Sequence, residues 1–215
     1  MNVNLSEWNR RFKARVEKLN SAPAFQMFEV GPKGTLIGGD VTLSKGENDE
    51  FEATVMGLRP GIWTIKETDE GDDDFKEILI RWVAPGPLDF DNLPVNLPEP
   101  NFSPLTKWKR VASYSVDSGV HGVFDQDSLE NLIASCGGIQ HREFILEVIA
   151  DFSLFDNYTS VQVGLVAGGG DGGYKLMARE YEGVKVEILL QRNWADDEDE
   201  KEGEGEDEDE NDEDD

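Results

Sequence analysis

Two short segments concentrate the residues able to do chemistry. Val116 to Asp125 brings Asp117, Ser118, His121 and Asp125 into one stretch broken by Gly119 and Gly122. Gly168 to Tyr174 places five glycines around Asp171 and ends in Tyr174. Glycine lets the backbone enter φ > 0 and lets a ligand or another loop approach closely. If the two segments meet, Asp117, Asp125, Asp151 and Asp171 converge near one strand end. Such an oxygen cluster suits Ca²⁺ or Mg²⁺, so Asp117, Asp125 and Asp171 are the candidate metal ligands. The plainer expectation is that each aspartate caps a turn by accepting backbone N–H groups beside glycine. In either case Asp117, Ser118, His121, Asp125, Asp171 and Tyr174 are the candidate ligand- or partner-binding residues. None is assigned a catalytic role.

Other chemistries fit less well. His121 and His141 lie 20 residues apart and make no HxxxH or HExxH spacing, and the single Cys136 does not complete a zinc site with them. Ser118 and His121 are too close along a turn to align as nucleophile and base, and the chain has no G-x-S-x-G elbow. The glycine run lacks the Gly-Lys-Ser/Thr of a phosphate loop. No resident cofactor is expected, a divalent cation being the one alternative.

The pairing of Val116–Asp125 with Gly170–Tyr174 resembles an uncharacterised bacterial and phage domain family of unknown function. Its members read VDSGQxGIFD, then a DLTL-like piece, then GxGDGSYP. Ala150–Leu154 matches the middle piece, and the likeness covers roughly 110–190. Val120, Gly173 and Lys175 depart from the family's Gln, Ser and Pro. The resemblance implies a mostly antiparallel β fold and no known activity.

The surrounding elements must position these turns. Leu5, Trp8, Phe12, Val16 and Leu19 recur at spacings of three and four, which predicts an amphipathic helix over 4–20 with an Asn4–Glu7 capping box. Its polar face carries Arg10, Arg11, Lys13, Arg15 and Lys18, a solvated face or a dock for an acidic partner or the chain's own tail. From Phe25 to Val83 the period becomes two. Strands are expected at 34–38, 40–44, 51–56, 61–66 and 77–83, separated by turns at Gly38-Gly39, 45–49, 59–61 and 69–74. In 61–66, Trp63 and Ile65 should share one face, with Ile62, Thr64 and Lys66 on the other. Residues 84–107 hold six prolines and read as an extended strap. Later come a strand at 110–116, a short helix over 125–136, and an apolar stretch at 144–151 that fits helix or strand. A strand at 160–167 and a closing hairpin with Glu182-Gly183 in its turn complete the chain. The fold class is therefore mainly β (α+β): an antiparallel β-sandwich or barrel-like body with an N-terminal amphipathic helix and one short central helix. One domain spans 1–194, and 195–215 is expected to be a disordered acidic tail.

The chain has 46 acidic and 20 basic residues, a net charge of -26. Sixteen of the acids and one lysine fall in 195–215, leaving 30 acids against 19 bases in 1–194. Such a charge disfavours nucleic acid and anionic lipid, whose phosphates need Lys and Arg; the expected partner is a basic protein. A lone cysteine fits a reducing compartment, so a cytoplasmic location is expected, with the nucleus as the alternative. The leading functional expectation is a non-catalytic binding protein using the two glycine loops and the acidic tail. One alternative is a metal-assisted hydrolase on Asp117, Asp125 and Asp171 with His121 as base. Another is an acidic immunity-type or histone-chaperone-like protein that neutralises a basic partner.

Overall fold

A computed structural model describes residues 4–21, 26–42, 52–71, 76–89, 92–93, 96–97, 99–154 and 158–192. The expected tail at 195–215 and the turn at 45–49 lie outside the described residues. So do residues 72–74 of the expected acidic turn.

The chain runs α1 (Leu5–Ser21), β1 (Gln26–Val30), β2 (Thr35–Asp40), β3 (Glu52–Met56), β4 (Gly61–Gly71) and β5 (Lys76–Ala84). It continues β6 (Lys109–Val116), β7 (Val120–Asp125), α2 (Gln126–Ser135), α3 (Arg142–Ala150), β8 (Tyr158–Val161), β9 (Gly164–Gly168), β10 (Gly172–Tyr181) and β11 (Val184–Arg192). The strands form two antiparallel sheets. The first has order β1-β4-β5-β11-β10-β6 and the second β3-β2-β7-β9-β8. Neither closes into a barrel, so the sandwich is the form adopted.

Strand alternation decides what fills the gap between the sheets. Trp63, Ile65, Ile78, Ile80, Tyr174, Leu176, Ile188 and Leu190 of the first sheet meet Leu36, Val123, Leu165 and Ala167 of the second. Each Val, Leu and Ile among them contributes about 1.5–3 kcal/mol on burial. Residues one position along face the other way. Phe124, Val161 and Val166 pack outward against Phe12 and Val16 of α1, Leu129 and Ile133 of α2, and Ile145 and Ile149 of α3. The helices thus cover mainly the second sheet, and α1 reaches the first only through Leu19 near its C-terminal end. On the outer face of the first sheet, Met27, Ile62 and Val83 pack with Leu19 and with Leu88, Leu93 and Leu97 of the proline-rich strap.

Helix ends follow local chemistry. Asn4 Oδ1 accepts the Glu7 N–H at 3.2 Å, but the Glu7 carboxylate turns to Arg10 and Arg11 instead of completing the capping box. Asp125 caps α2 through the Ser128 N–H at 2.8 Å. The apolar 144–151 stretch resolves as helix, ending at Ala150. Glu182 and Gly183, at φ 52° and 79°, form the closing turn, as two left-handed residues fit a tight hairpin.

Several boundaries correct the sequence expectations. Gly38 and Gly39 are not a turn but lie inside β2, which runs on to Asp40; residues 43–44 of the second expected strand lie outside the described residues. β4 continues through the expected acidic turn as far as Gly71. The single strand expected at 160–167 is a hairpin, in which Val161 pairs with Gly164 around Gln162-Val163. A Cβ at Gly164 would sit 2.1 Å from the Val123 oxygen, so glycine there permits close backbone approach that alternation cannot reveal.

Candidate functional site

The two glycine segments are the crossovers between the sheets. Asp117–Gly119 carries the chain from β6 in the first sheet to β7 in the second, and Gly169–Asp171 carries it back from β9 to β10. They lie side by side. Gly172 pairs with Val116, Val120 pairs with Gly168, and the Gly169 N–H donates to the Gly119 oxygen at 3.2 Å. Asp117, Ser118, Gly170 and Asp171 are exposed. The result is one rim carrying two outward aspartates.

The rim is held by a residue the sequence did not single out. Asp40, at the end of β2, is 8% exposed. Its Oδ2 accepts the Asp117 and Ser118 N–H groups at 3.0 and 2.9 Å. Its Oδ1 accepts the Ser118 hydroxyl at 2.7 Å and the Thr42 N–H and hydroxyl, each at 2.9 Å. Burial raises the Asp40 pKa, but the hydrogen bonds from Ser118, Asp117 and Thr42 outweigh it and leave the carboxyl below its ordinary value. This charge is therefore committed to folding the loop. No spacing rule links Asp40 to Ser118; only pairing of β2 with β7, which sets Asp40 opposite His121, brings them together.

Beneath the rim lies an aromatic cluster. His121 is fully buried, shares a 2.8 Å hydrogen bond between its Nδ1 and the Tyr114 hydroxyl, and stacks on Tyr174 with ring centroids 4.0 Å apart. Burial pushes its pKa down to about 3, Asp40 opposing and Arg192 reinforcing the shift. The imidazole is neutral at pH 7. The Tyr174 hydroxyl donates to the Gly170 oxygen at 2.9 Å, tying the second crossover to this cluster. Gly38 makes room: a Cβ there would lie 3.0 Å from the Tyr114 ring.

Not every candidate joins the rim. The structure brings Asp117, Ser118, His121, Asp171 and Tyr174 together. Asp125 lies at the opposite end of β7, about 17 Å from Val120 by strand rise, where its carboxylate caps α2 and accepts the Gly31 N–H at 3.0 Å. Asp151 sits after α3, 3.5 Å from Lys13. The expected four-aspartate convergence is therefore corrected to two aspartates, because Val120–Asp125 is a strand and not part of the turn. Among the described residues no group of three or more His, Cys, Asp or Glu side chains is placed to hold a metal. Ser118 donates to Asp40 while His121 bonds Tyr114, so the two do not form a nucleophile–base pair. No described helix is long and apolar enough to cross a membrane.

One further feature bears on the rim. β11 ends at Arg192, whose Nη2 donates to the Asp171 oxygen at 2.7 Å. The acidic run begins four residues later, at Asp196. In sequence its 16 carboxylates thus follow the strand whose end borders Asp171. No family model, curated protein or solved structure matches the chain, so the site stands on its own geometry.

Proposed function

We propose that this chain is a non-catalytic binding protein that takes a Lys- or Arg-rich segment of a partner against the Asp117–Asp171 rim and the acidic run beside it. One observation carries the reading: the paired crossovers lie at the strand end from which the run departs, so fixed and chain-borne negative charge share one origin. Carboxylates clustered this way attract a cationic segment over several ångströms and raise its on-rate at low salt. The committed hydrogen bonding of Asp40, Ser118 and His121 supports recognition over catalysis, since each group is engaged in holding the loops.

The test is titration of the full chain with a lysine-rich peptide, beside the Asp117→Asn/Asp171→Asn variant. Weakened binding in the variant, with affinity falling steeply as salt rises, is expected. Equal affinity for both proteins would remove the rim from the proposal. Salt-independent binding would remove the electrostatic basis altogether.

A further inference from the structure

Part of the outer face of the first sheet is cationic in an acidic chain. Register places side chains of adjacent strands in rows on this face. One row is Thr64, Arg81, Glu187 and Arg179. The next is Lys66, Leu79, Leu189, Met177 and Arg110. The third includes Gln191, Lys175 and Ser113, with the Gln191 amide donating to Glu77. The rows thus hold Lys66, Arg81, Arg110, Lys175 and Arg179 against Glu77 and Glu187, with Glu29 of β1 farther along the same face beside Ile62, a cationic excess in a chain of net charge -26. Arg81 and Arg179 both grip the buried Glu187, at 2.5 Å each, and Arg179 also lies over the Trp108 ring at 4.3 Å. Two fixed guanidinium groups thus share one carboxylate. Lys66 and Arg110 are exposed.

The exit point of the chain adds the second observation. Lys175 pairs with Gln191, the neighbour of Arg192. The chain therefore departs within one strand spacing of this face. Residues 193–215 can span at most about 75–80 Å when extended, while β11 is about 30 Å long, so the acidic run has ample length to return along it. The other basic surface lies on α1, which packs mainly on the outer side of the second sheet. Arg10 and Arg11 there are bonded to Glu7.

We propose that the acidic run 196–215 lies back over the cationic outer face of the first sheet of its own chain. Tethering gives it a high effective concentration there. A basic partner must then compete with Lys66, Arg110 and Lys175 for the same carboxylates, which makes the contact a self-screening device. That consequence rests on the proposed function, but the contact itself does not.

The experiment uses the full chain without any partner. A spin label on Glu208→Cys reports proximity through lost amide signal, the native Cys136 being fully buried. Amides around Lys66, Leu79, Met177 and Lys175 are expected to lose most of their intensity, and those of α1 little. At about 0.5 M salt, where the Debye length shrinks to about 4 Å, the signals should recover. The Lys66→Gln/Arg110→Gln/Lys175→Gln variant should also recover them, while Asp117→Asn/Asp171→Asn should not. Signal loss centred on α1, or none anywhere, would overturn the inference. So would loss that appears equally when a spin-labelled chain is mixed with a separate isotope-labelled chain, since that contact is between molecules. Because no partner is present, failure here leaves rim recognition standing, and failure of rim recognition leaves this contact standing.

Discussion

Asp40→Asn is the sharpest perturbation of the rim. The side chain keeps its volume, but one carboxylate oxygen becomes an amide donor. If the amide faces Asp117 and Ser118, two N–H groups lose their acceptor and meet a donor. If it faces the other way, the Ser118 hydroxyl and the Thr42 pair are disrupted instead. Each orphaned donor costs about 1–3 kcal/mol when buried. The loop is partly exposed, so water relieves some of that, and a loss of about 2–3 kcal/mol is expected. Urea unfolding at pH 7 measures it, with the slope unchanged and the midpoint lowered. Peptide binding should weaken in parallel, because Asp117 loses its fixed direction although both rim aspartates remain. The control is Asp117→Asn/Asp171→Asn, whose exposed side chains should alter stability by less than about 0.5 kcal/mol. An Asp40→Asn protein within about 1 kcal/mol of the parent and with full binding would refute the claim that Asp40 builds the site.

Three further outcomes follow from the same geometry. The His121 imidazole should remain neutral down to about pH 4, since burial holds its pKa near about 3; its ring carbon shift checks this, and a midpoint near 6.5 would contradict it. The sign for stability is fixed by that depression. Below about pH 6.5 the unfolded chain gains a proton that the folded chain refuses, so this group's contribution falls as pH drops toward about 3, by at most about 5 kcal/mol. Glu187→Ala should cost about 2–4 kcal/mol, below the full value for a wholly buried ion cluster because Arg81 and Arg179 are 32% and 28% exposed; an unfolding free energy from urea lowered by less than about 1 kcal/mol would contradict it. Gly164→Ala should cost more than about 2 kcal/mol, because its Cβ meets the Val123 carbonyl; thermal unfolding reads it, and an unchanged melting temperature would argue against the close approach of β9 to β7.

Much of the architecture was legible because it depends on local periodicity. The apolar stripe of α1, the opposite faces of Trp63 and Ile62, and the Glu182-Gly183 turn are each set by neighbours within a few residues. The α2 cap at Asp125 is local in the same way. What resisted reading depends on pairing between distant strands. Gly38 resembles a turn residue until Tyr114 is seen to need its space. Gly164 sits within clean alternation, yet its backbone must approach β7. Asp125 shares a motif with Asp117, but a six-residue strand separates their ends. Asp40 was missed because its partners lie 77 and 78 positions away. The adjacency of the two glycine turns entered the sequence reading only as a condition, and sheet-to-sheet crossing is the physical reason it holds. The cationic face needed register across five strands before its rows could be recognised.

The most direct measurement is amide shift mapping of the full chain during titration with a lysine-rich peptide at low salt. Asp117 to Gly119 and Gly170 to Gly172 are expected to shift together with the residues of the acidic run, at a common midpoint. Shifts confined to the run, with both crossovers unmoved, would contradict the rim as the seat of recognition.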